Sequence, residues 1–261
     1  MGKRQVLVSC VQWDQEIRGG AINVTAVGPA AARLGVDGVE YREVYWHDKP
    51  NELPAVRDQL ARFGLRGTYA TFTTLFSRDP DARAQLLQDV ADAHALGSSL
   101  IRVFRGELPG SGPEDEPMWA GARAALDRAG ELGLTIALEN YARTPGNRLA
   151  DVLGTLETFA SPILGTNVDV SNYVLNDQDP ILAIRALSRW VRYVHLKDVK
   201  LVGGQKVATY LGAGTLSYRK ILAALEATGQ DFPLCFEFGG EGDPESSIRR
   251  SQEYLRMVTG G

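Results

Sequence analysis

Leu132-Gly-Leu-Thr-Ile-Ala-Leu-Glu139 ends an amphipathic stretch on a glycine, then runs directly into a short β-rich segment that closes on a carboxylate. The same cadence recurs along the chain. Strands are expected near Val6–Val11, Gly38–Arg42, Arg66–Thr71, Leu100–Phe104, Thr135–Glu139, Leu164–Asp169, Val191–Leu196 and Pro233–Glu237. Helix-compatible segments follow them near Ala21–Leu34, Asn51–Phe63, Asp79–Leu96, Pro117–Leu132, Leu149–Phe159, Pro180–Leu187, Ser217–Thr228 and Glu245–Val258. Several open with Asp, Ser or Pro, as helix N-termini do, and Leu34-Gly35, Leu96-Gly97, Leu132-Gly133 and Thr228-Gly229 put glycine at the C-terminal stop. Repeated strand–helix units without a linker predict an α/β fold: one (β/α)8 TIM barrel over residues 1–261, with its active site at the C-terminal ends of the strands. An open doubly wound sheet would carry a glycine-rich phosphate turn after its first strand, and Gln12-Trp-Asp-Gln-Glu16 is not one.

Four polar residues close successive runs in the second half: Glu139, Asp169, His195 and Glu237. On adjacent strands of a barrel they occupy one arc of the mouth. Carboxylates converging there would repel by about 4 kcal/mol per pair at an effective dielectric near 20, so a cation is the natural compensation. One imidazole with three carboxylates suits Mn or Mg better than a thiolate-seeking metal, with Co or Zn as further options.

Composition narrows the rest. The chain has 261 residues, 44% of them hydrophobic, and can bury one large core. A net charge of −4 with scattered Lys and Arg argues against a nucleic-acid groove. The start, Met-Gly-Lys-Arg-Gln-Val-Leu-Val-Ser-Cys10, lacks a signal-peptide apolar segment, and no run reaches membrane-spanning length, so a cytoplasmic location without membrane contact is expected. Cys10 and Cys235 lie in apolar runs and read as buried, reduced thiols. A homo-oligomer is compatible with all of this.

At these residues the chain resembles the xylose-isomerase-like superfamily, which holds sugar (phosphate) isomerases and epimerases, inosose dehydratases and hydroxypyruvate isomerases. The likeness rests on Leu34-Gly-Val-Asp-Gly-Val-Glu-Tyr-Arg42, Leu96-Gly-Ser-Ser-Leu-Ile-Arg-Val-Phe104, Leu138-Glu-Asn140, Val194-His-Leu-Lys-Asp198, and Leu211-Gly-Ala-Gly-Thr215 leading to Phe236-Glu237. It implies Glu139, Asp169, His195 and Glu237 as ligands of one divalent metal, with the two glutamates doubling as acid and base. The implied reaction is proton abstraction next to the carbonyl of a sugar or keto-sugar through a metal-stabilised enediolate, giving an isomerase or epimerase. Elimination from the same enediolate would instead make a lyase or dehydratase on an oxidised sugar or glycoside, including carbon-linked glycosides. A non-catalytic sugar-binding or partner subunit is a third reading, although no ligand position has been lost.

Strand parity names neighbours. Lys197 should follow His195 toward the mouth as a third catalytic group, and Tyr141 should follow Glu139. Glu40 and Arg42 share a register, where substrate contact and an internal ion pair are both open. Trp13, Trp46, Tyr69 and Phe72 follow early strands as wall residues, and Arg105 follows the fourth strand as a substrate contact. Asp198 is not placed inward by parity, His47 lies in a loop after the second strand, and His94 lies inside a helix. Many sugar epimerases of the superfamily carry histidine three residues after the metal-binding aspartate, whereas this chain has Asn172, which hydrogen-bonds but does not titrate near neutrality. Related dehydratases often have histidine two after the first ligand, where Tyr141 stands.

Overall fold

In a computed structural model describing residues 4–239 and 242–260, parallel strands close into a barrel. In chain order these are β1 (Val6–Ser9), β2 (Gly38–Arg42), β3 (Arg66–Phe76), β4 (Leu100–Gly106), β5 (Thr135–Glu139), β6 (Leu164–Asp169) and β7 (Val191–Leu196). A hairpin of β8 (Asp198–Val202) and β9 (Gln205–Thr209) intervenes before β10 (Leu234–Phe236). The barrel runs β1-β10-β7-β6-β5-β4-β3-β2, so β10 is its eighth strand and the hairpin stands outside it. All the expected strands and flanking helices are present, and Leu34 and Leu96 hand over to left-handed Gly35 (φ 67°) and Gly97 (φ 84°) as the helix stops require.

Two departures have local causes. β3 continues past Thr71 to Phe76, because a register shift between Ala70 and Thr74 lets it keep pairing with β4 beyond the barrel wall. The hydroxyls of Thr71 (2.6 Å) and Thr73 (3.1 Å) donate to Asp89 there. The β8–β9 hairpin turns at Gly203 and Gly204, both at positive φ, in a two-residue connection between Val202 and Gln205.

Outward-facing side chains such as Val39, Tyr41, Ile101, Leu138 and Val194 pack into one apolar shell under the helices. Trp46 stacks there between Tyr41 and Tyr69, with ring centroids 5.7 and 6.4 Å away. Tyr69 and Trp46 therefore belong to that packing rather than to a wall of the mouth, because period-2 alternation gives the inward position to Thr68. Inside the barrel the residues change character with height. Leu7, Leu100, Ala137, Tyr193 and Cys235 make a small apolar cluster, and the Tyr193 hydroxyl meets Thr68 at 3.1 Å. One step further along the strands the inward positions are Glu40, Arg102, Glu139 and His195, all at most 2% exposed. No helix among the described residues is long and apolar enough to cross a membrane.

Candidate metal and acid/base site

Four of the expected residues meet at one point. His195 Nδ1 lies 3.8 Å from Glu139 Oε2 and 3.9 Å from both Asp169 Oδ2 and Glu237 Oε2. The backbone forces this convergence, because β6 and β7 pair Asp169 with His195, and β10 pairs Cys235 with His195 so that Glu237 comes two residues higher on the same face. Asn140 locks the ends of β5 and β6 together: its amide donates to Asp169 O (3.0 Å) and its carbonyl accepts from Asp169 N (2.9 Å).

Each carboxylate commits one oxygen to the protein and turns the other to the shared centre. Asp169 Oδ1 caps the following helix by accepting from Asn172 N (2.8 Å), and Glu139 Oε1 accepts from Asn172 Nδ2 (3.1 Å). Glu237 Oε1 is held by Arg42 Nη2. The facing atoms Glu139 Oε2, Asp169 Oδ2 and His195 Nδ1 are buried; the two oxygens face the cations Arg102 and Lys197, and Nδ1 makes no hydrogen bond. Buried atoms of hard-ligand type, all within 4.8 Å of one another, fit a divalent cation.

The expected electrostatics need one correction. Sequence alone implies uncompensated negative charge at the mouth, yet the chain brings its own counter-charges. Arg102 Nε reaches Glu139 Oε2 at 2.8 Å, Lys197 Nζ reaches Asp169 Oδ2 at 2.7 Å and also bonds Glu237, and Arg42 pairs with Glu237. Donor geometry therefore carries the case for a metal, and charge does not. Burial opposes ionisation throughout. For His195 the Glu40 and Glu139 carboxylates outweigh burial and raise its pKa to about 10, whereas for Asp169 burial prevails over Lys197 and raises it to about 6. Glu237 is held well below the usual carboxylate range, since Lys197 and Arg42 overcome its burial.

Glu40 has a different position from a substrate contact. Its Oε2 sits 2.7 Å from His195 Nε2 in a fully buried pair, with Arg42 Nε 3.5 Å from its other oxygen. An ionised carboxylate there holds the Nε2 proton, so that on losing its second proton the ring would present Nδ1 to the centre as a ligand. Lys197 is fixed through its carbonyl, which accepts from Tyr218 Oη (2.6 Å) and Ser171 Oγ. Asp198 turns to the hairpin base, accepting from Val199 N (2.8 Å), Leu216 N (3.0 Å) and Gly212 N (3.1 Å).

A cavity of about 440 Å³ opens beside this centre, lined by Gln12, Arg42, Phe72, Tyr141 and Arg143 among others. Tyr141 stacks on Phe104 (5.0 Å), which meets Phe72 edge-on (5.6 Å) and lies against the Arg102 guanidinium (4.5 Å). Those rings make an aromatic wall on the β3–β5 side. Besides Glu40, two expected contacts lie elsewhere. Trp13 is buried in the apolar shell, and its neighbour Gln12 faces the cavity, donating to Phe236 O (3.1 Å). Arg105 points to the helix Leu149–Phe159, donating to Thr155 Oγ1 (2.9 Å), because parity turns Arg102 and Phe104 inward and Arg105 out. His47 and His94 are exposed. Sequence reasoning misses Gln12 and Arg102; Arg102 lies two before Phe104 on β4, where the parity rule applied to Lys197 finds it.

Comparison with known proteins agrees with this architecture. Residues 29–258 match the family described as xylose isomerase-like TIM barrel. An uncharacterized Bacillus subtilis (strain 168) protein, YfiH, is 25% identical, covering 87% of this chain and 92% of its own. A D-allulose 3-epimerase from Methylomonas sp., crystallised with D-allulose, superposes with a TM-score of 0.77 at 19% identity, covering 98% of this chain and 97% of that one. The probable 3-DHS dehydratase AsbF of Bacillus anthracis gives 0.76 at 14% identity, covering 96% and 98%. At such identities these structures establish a shared fold.

Proposed function

Because this chain belongs to the xylose isomerase-like TIM barrel family, we propose that it is a divalent-metal-dependent isomerase or epimerase of a sugar or keto-sugar, with residues 1–261 acting as one domain. The observation that carries the reading is the convergence of Glu139, Asp169 and Glu237 oxygens on His195 Nδ1 at 3.8–3.9 Å. Those residues would hold the cation, Mn or Mg by donor type, which when bound supplies electrophilic stabilisation of the charge that develops on oxygen.

The remaining work falls to side chains. One of Glu139 and Glu237 removes the proton from the carbon beside the carbonyl, and the other returns a proton. Return to the opposite face of that carbon inverts it, whereas return to the neighbouring carbon interconverts aldose and ketose. Lys197, bonded to Glu237, offers an ammonium proton to a substrate oxygen as charge gathers there. Asn172 keeps Glu139 oriented through Oε1, and Tyr141 with Phe72 covers an apolar face of the sugar and reduces water at the reacting carbon.

A lyase or dehydratase is the second reading. The position of Lys197 favours it: a buried ammonium bonded to Glu237 is placed to stabilise, by hydrogen bonding, negative charge gathering on a departing hydroxyl or aglycone oxygen. Incubation of the Mn-loaded protein with keto-sugars in heavy water tests both. Solvent deuterium in recovered or isomerised sugar supports the isomerase, and an unsaturated product or released aglycone supports the lyase. Absence of exchange and of elimination across the panel, with metal bound, would rule out the acid/base roles.

A further inference from the structure

We infer that the N-terminal end of the barrel, opposite the metal site, carries a second ligand site that takes a phosphate-type oxyanion on Arg66 and Arg192. A cavity of about 360 Å³ opens there. The strands themselves aim its lining. Followed down from Thr68, Arg102 and Glu139, the inward parity brings Arg66, Leu100 and Thr135 to this opening. Arg192 is out of phase with the inward Tyr193 and His195, and a bulge re-aims it. While β6 steps from Thr166 to Asn167, β7 steps from Val191 to Tyr193, which leaves Arg192 as the extra residue. Gly165 makes room for it, because a Cβ at that position would stand 2.4 Å from Arg192 Cγ.

The lining is rich in donors and poor in acceptors. Arg66 donates to Gln5 Oε1 and Ser99 Oγ, both at 3.0 Å, and Arg192 donates to the carbonyls of Arg189 (3.0 Å) and Val191 (3.1 Å). All of these partners are neutral, so among the described residues neither guanidinium has an ion pair, and each keeps further N–H groups to offer. Ser99 Oγ accepts from Arg66 and so keeps its own proton to donate, and the Thr135 hydroxyl has no bonded partner among the described residues. Asp231 is the opposing charge on the same lining, exposed and without an ion pair among the described residues. It cancels one of the two arginines, and Arg4 restores the excess: its guanidinium lies 4.0 Å over the ring of the cavity-lining Phe232 and donates to Gln230 O (2.8 Å). Asp37 stands outside the lining, where its Oδ2 accepts from Val6 N (2.8 Å). Two half-buried guanidinium forks with two hydroxyl donors suit an anion that presents several oxygens in different directions, inorganic phosphate or a small phosphomonoester.

The test is calorimetric titration of the full-length protein with inorganic phosphate and with glycerol 3-phosphate at constant ionic strength. Saturable binding with a Kd of about 1 mM or tighter is expected for at least one of them. Inorganic phosphate binding at least as tightly identifies the free ion as the ligand, and tighter binding of glycerol 3-phosphate identifies a phosphomonoester. Arg192→Ala should weaken binding by about ten-fold or more, whereas Arg143→Ala, at the opposite mouth, should leave it unchanged. Asp231→Asn, an exposed substitution that removes the opposing charge, should tighten binding about three-fold. Should Arg192→Ala fail to fold, the Asp231→Asn comparison decides alone. Lack of saturable binding by either probe, unaltered binding in a folded Arg192→Ala, loss of binding in Arg143→Ala, or unchanged or weaker binding in Asp231→Asn overturns the inference.

Discussion

The two halves of the barrel divide the labour. Strands β5, β6, β7 and the turn after β10 carry donor groups that face one another, Glu139, Asp169, His195 and Glu237. Strands β2 and β4 carry groups that hold those donors, with Glu40 behind His195, Arg42 on Glu237 and Arg102 on Glu139. The donor arc is oriented and neutralised by the opposite arc, whose Glu40 carboxylate also forms a second cluster of metal-ligand type with His195 and Cys235. The proposed metal centre thus draws on both halves.

The sharpest way to break this division is to remove proton carriers while keeping oxygen ligands. Glu139→Gln and Glu237→Gln should retain Mn, measured by elemental analysis, and lower turnover or deuterium exchange by about two orders of magnitude or more. Near-normal turnover in both variants would move the chemistry to Lys197 or Tyr141. Arg102→Met removes one member of a buried pair that is 1% and 2% exposed, and should destabilise the metal-free protein by about 3 kcal/mol in denaturant titration. Added Mn should recover part of that loss, since it compensates the stranded Glu139 carboxylate. If the variant is as stable as wild type without metal, the supporting role of β4 is wrong.

Glu40→Gln probes the support of the imidazole. It should weaken Mn binding roughly 10-fold to 100-fold in a direct titration, because the carboxylate that orients the ring and raises its basicity is lost. The pH dependence of the chelated protein follows from the same contacts. His195 is raised from 6.5 to about 10, so its stabilising contribution is complete below about pH 6.5 and is lost as pH rises through 10. Asp169, raised from 3.8 to about 6, favours the protonated fold and so also costs stability as pH rises, between those two values. The melting temperature without metal should therefore be roughly 5 °C lower at pH 9.5 than at pH 7, and His195→Gln should flatten that slope. Smallest of all, Arg105→Ala should cost about 1 kcal/mol through its lost Thr155 bond and leave turnover within about two-fold.

What could be read before folding follows the same line between the halves. Glu139, Asp169, His195 and Glu237 end runs that are otherwise apolar, and a polar residue closing such a run stands out by contrast. Lys197 and Tyr141 follow by counting two residues onward. Position directly after the strand singles out Arg105, whereas the period of the strand assigns the inward place to Arg102. An aromatic after β1 points to Trp13, but the short helical turn Cys10–Trp13 rotates it into the core and presents Gln12 instead. Val202-Gly-Gly-Gln205 is a two-residue turn signature that fits the hairpin.

The sequence by itself determined the barrel, the order of its strands and which four polar residues close its later strands, because these depend on local alternation, glycine stops and what closes each apolar run. Tertiary structure decided the partners. That Glu40 would back His195, 155 residues away, depends on closure of the barrel, which brings β2 across from β7, and that Arg102 would neutralise Glu139 depends on the parallel pairing of β4 with β5. Pairing energies between buried charges fall steeply with separation and rise with desolvation, and neither quantity exists for a chain until the sheet has closed.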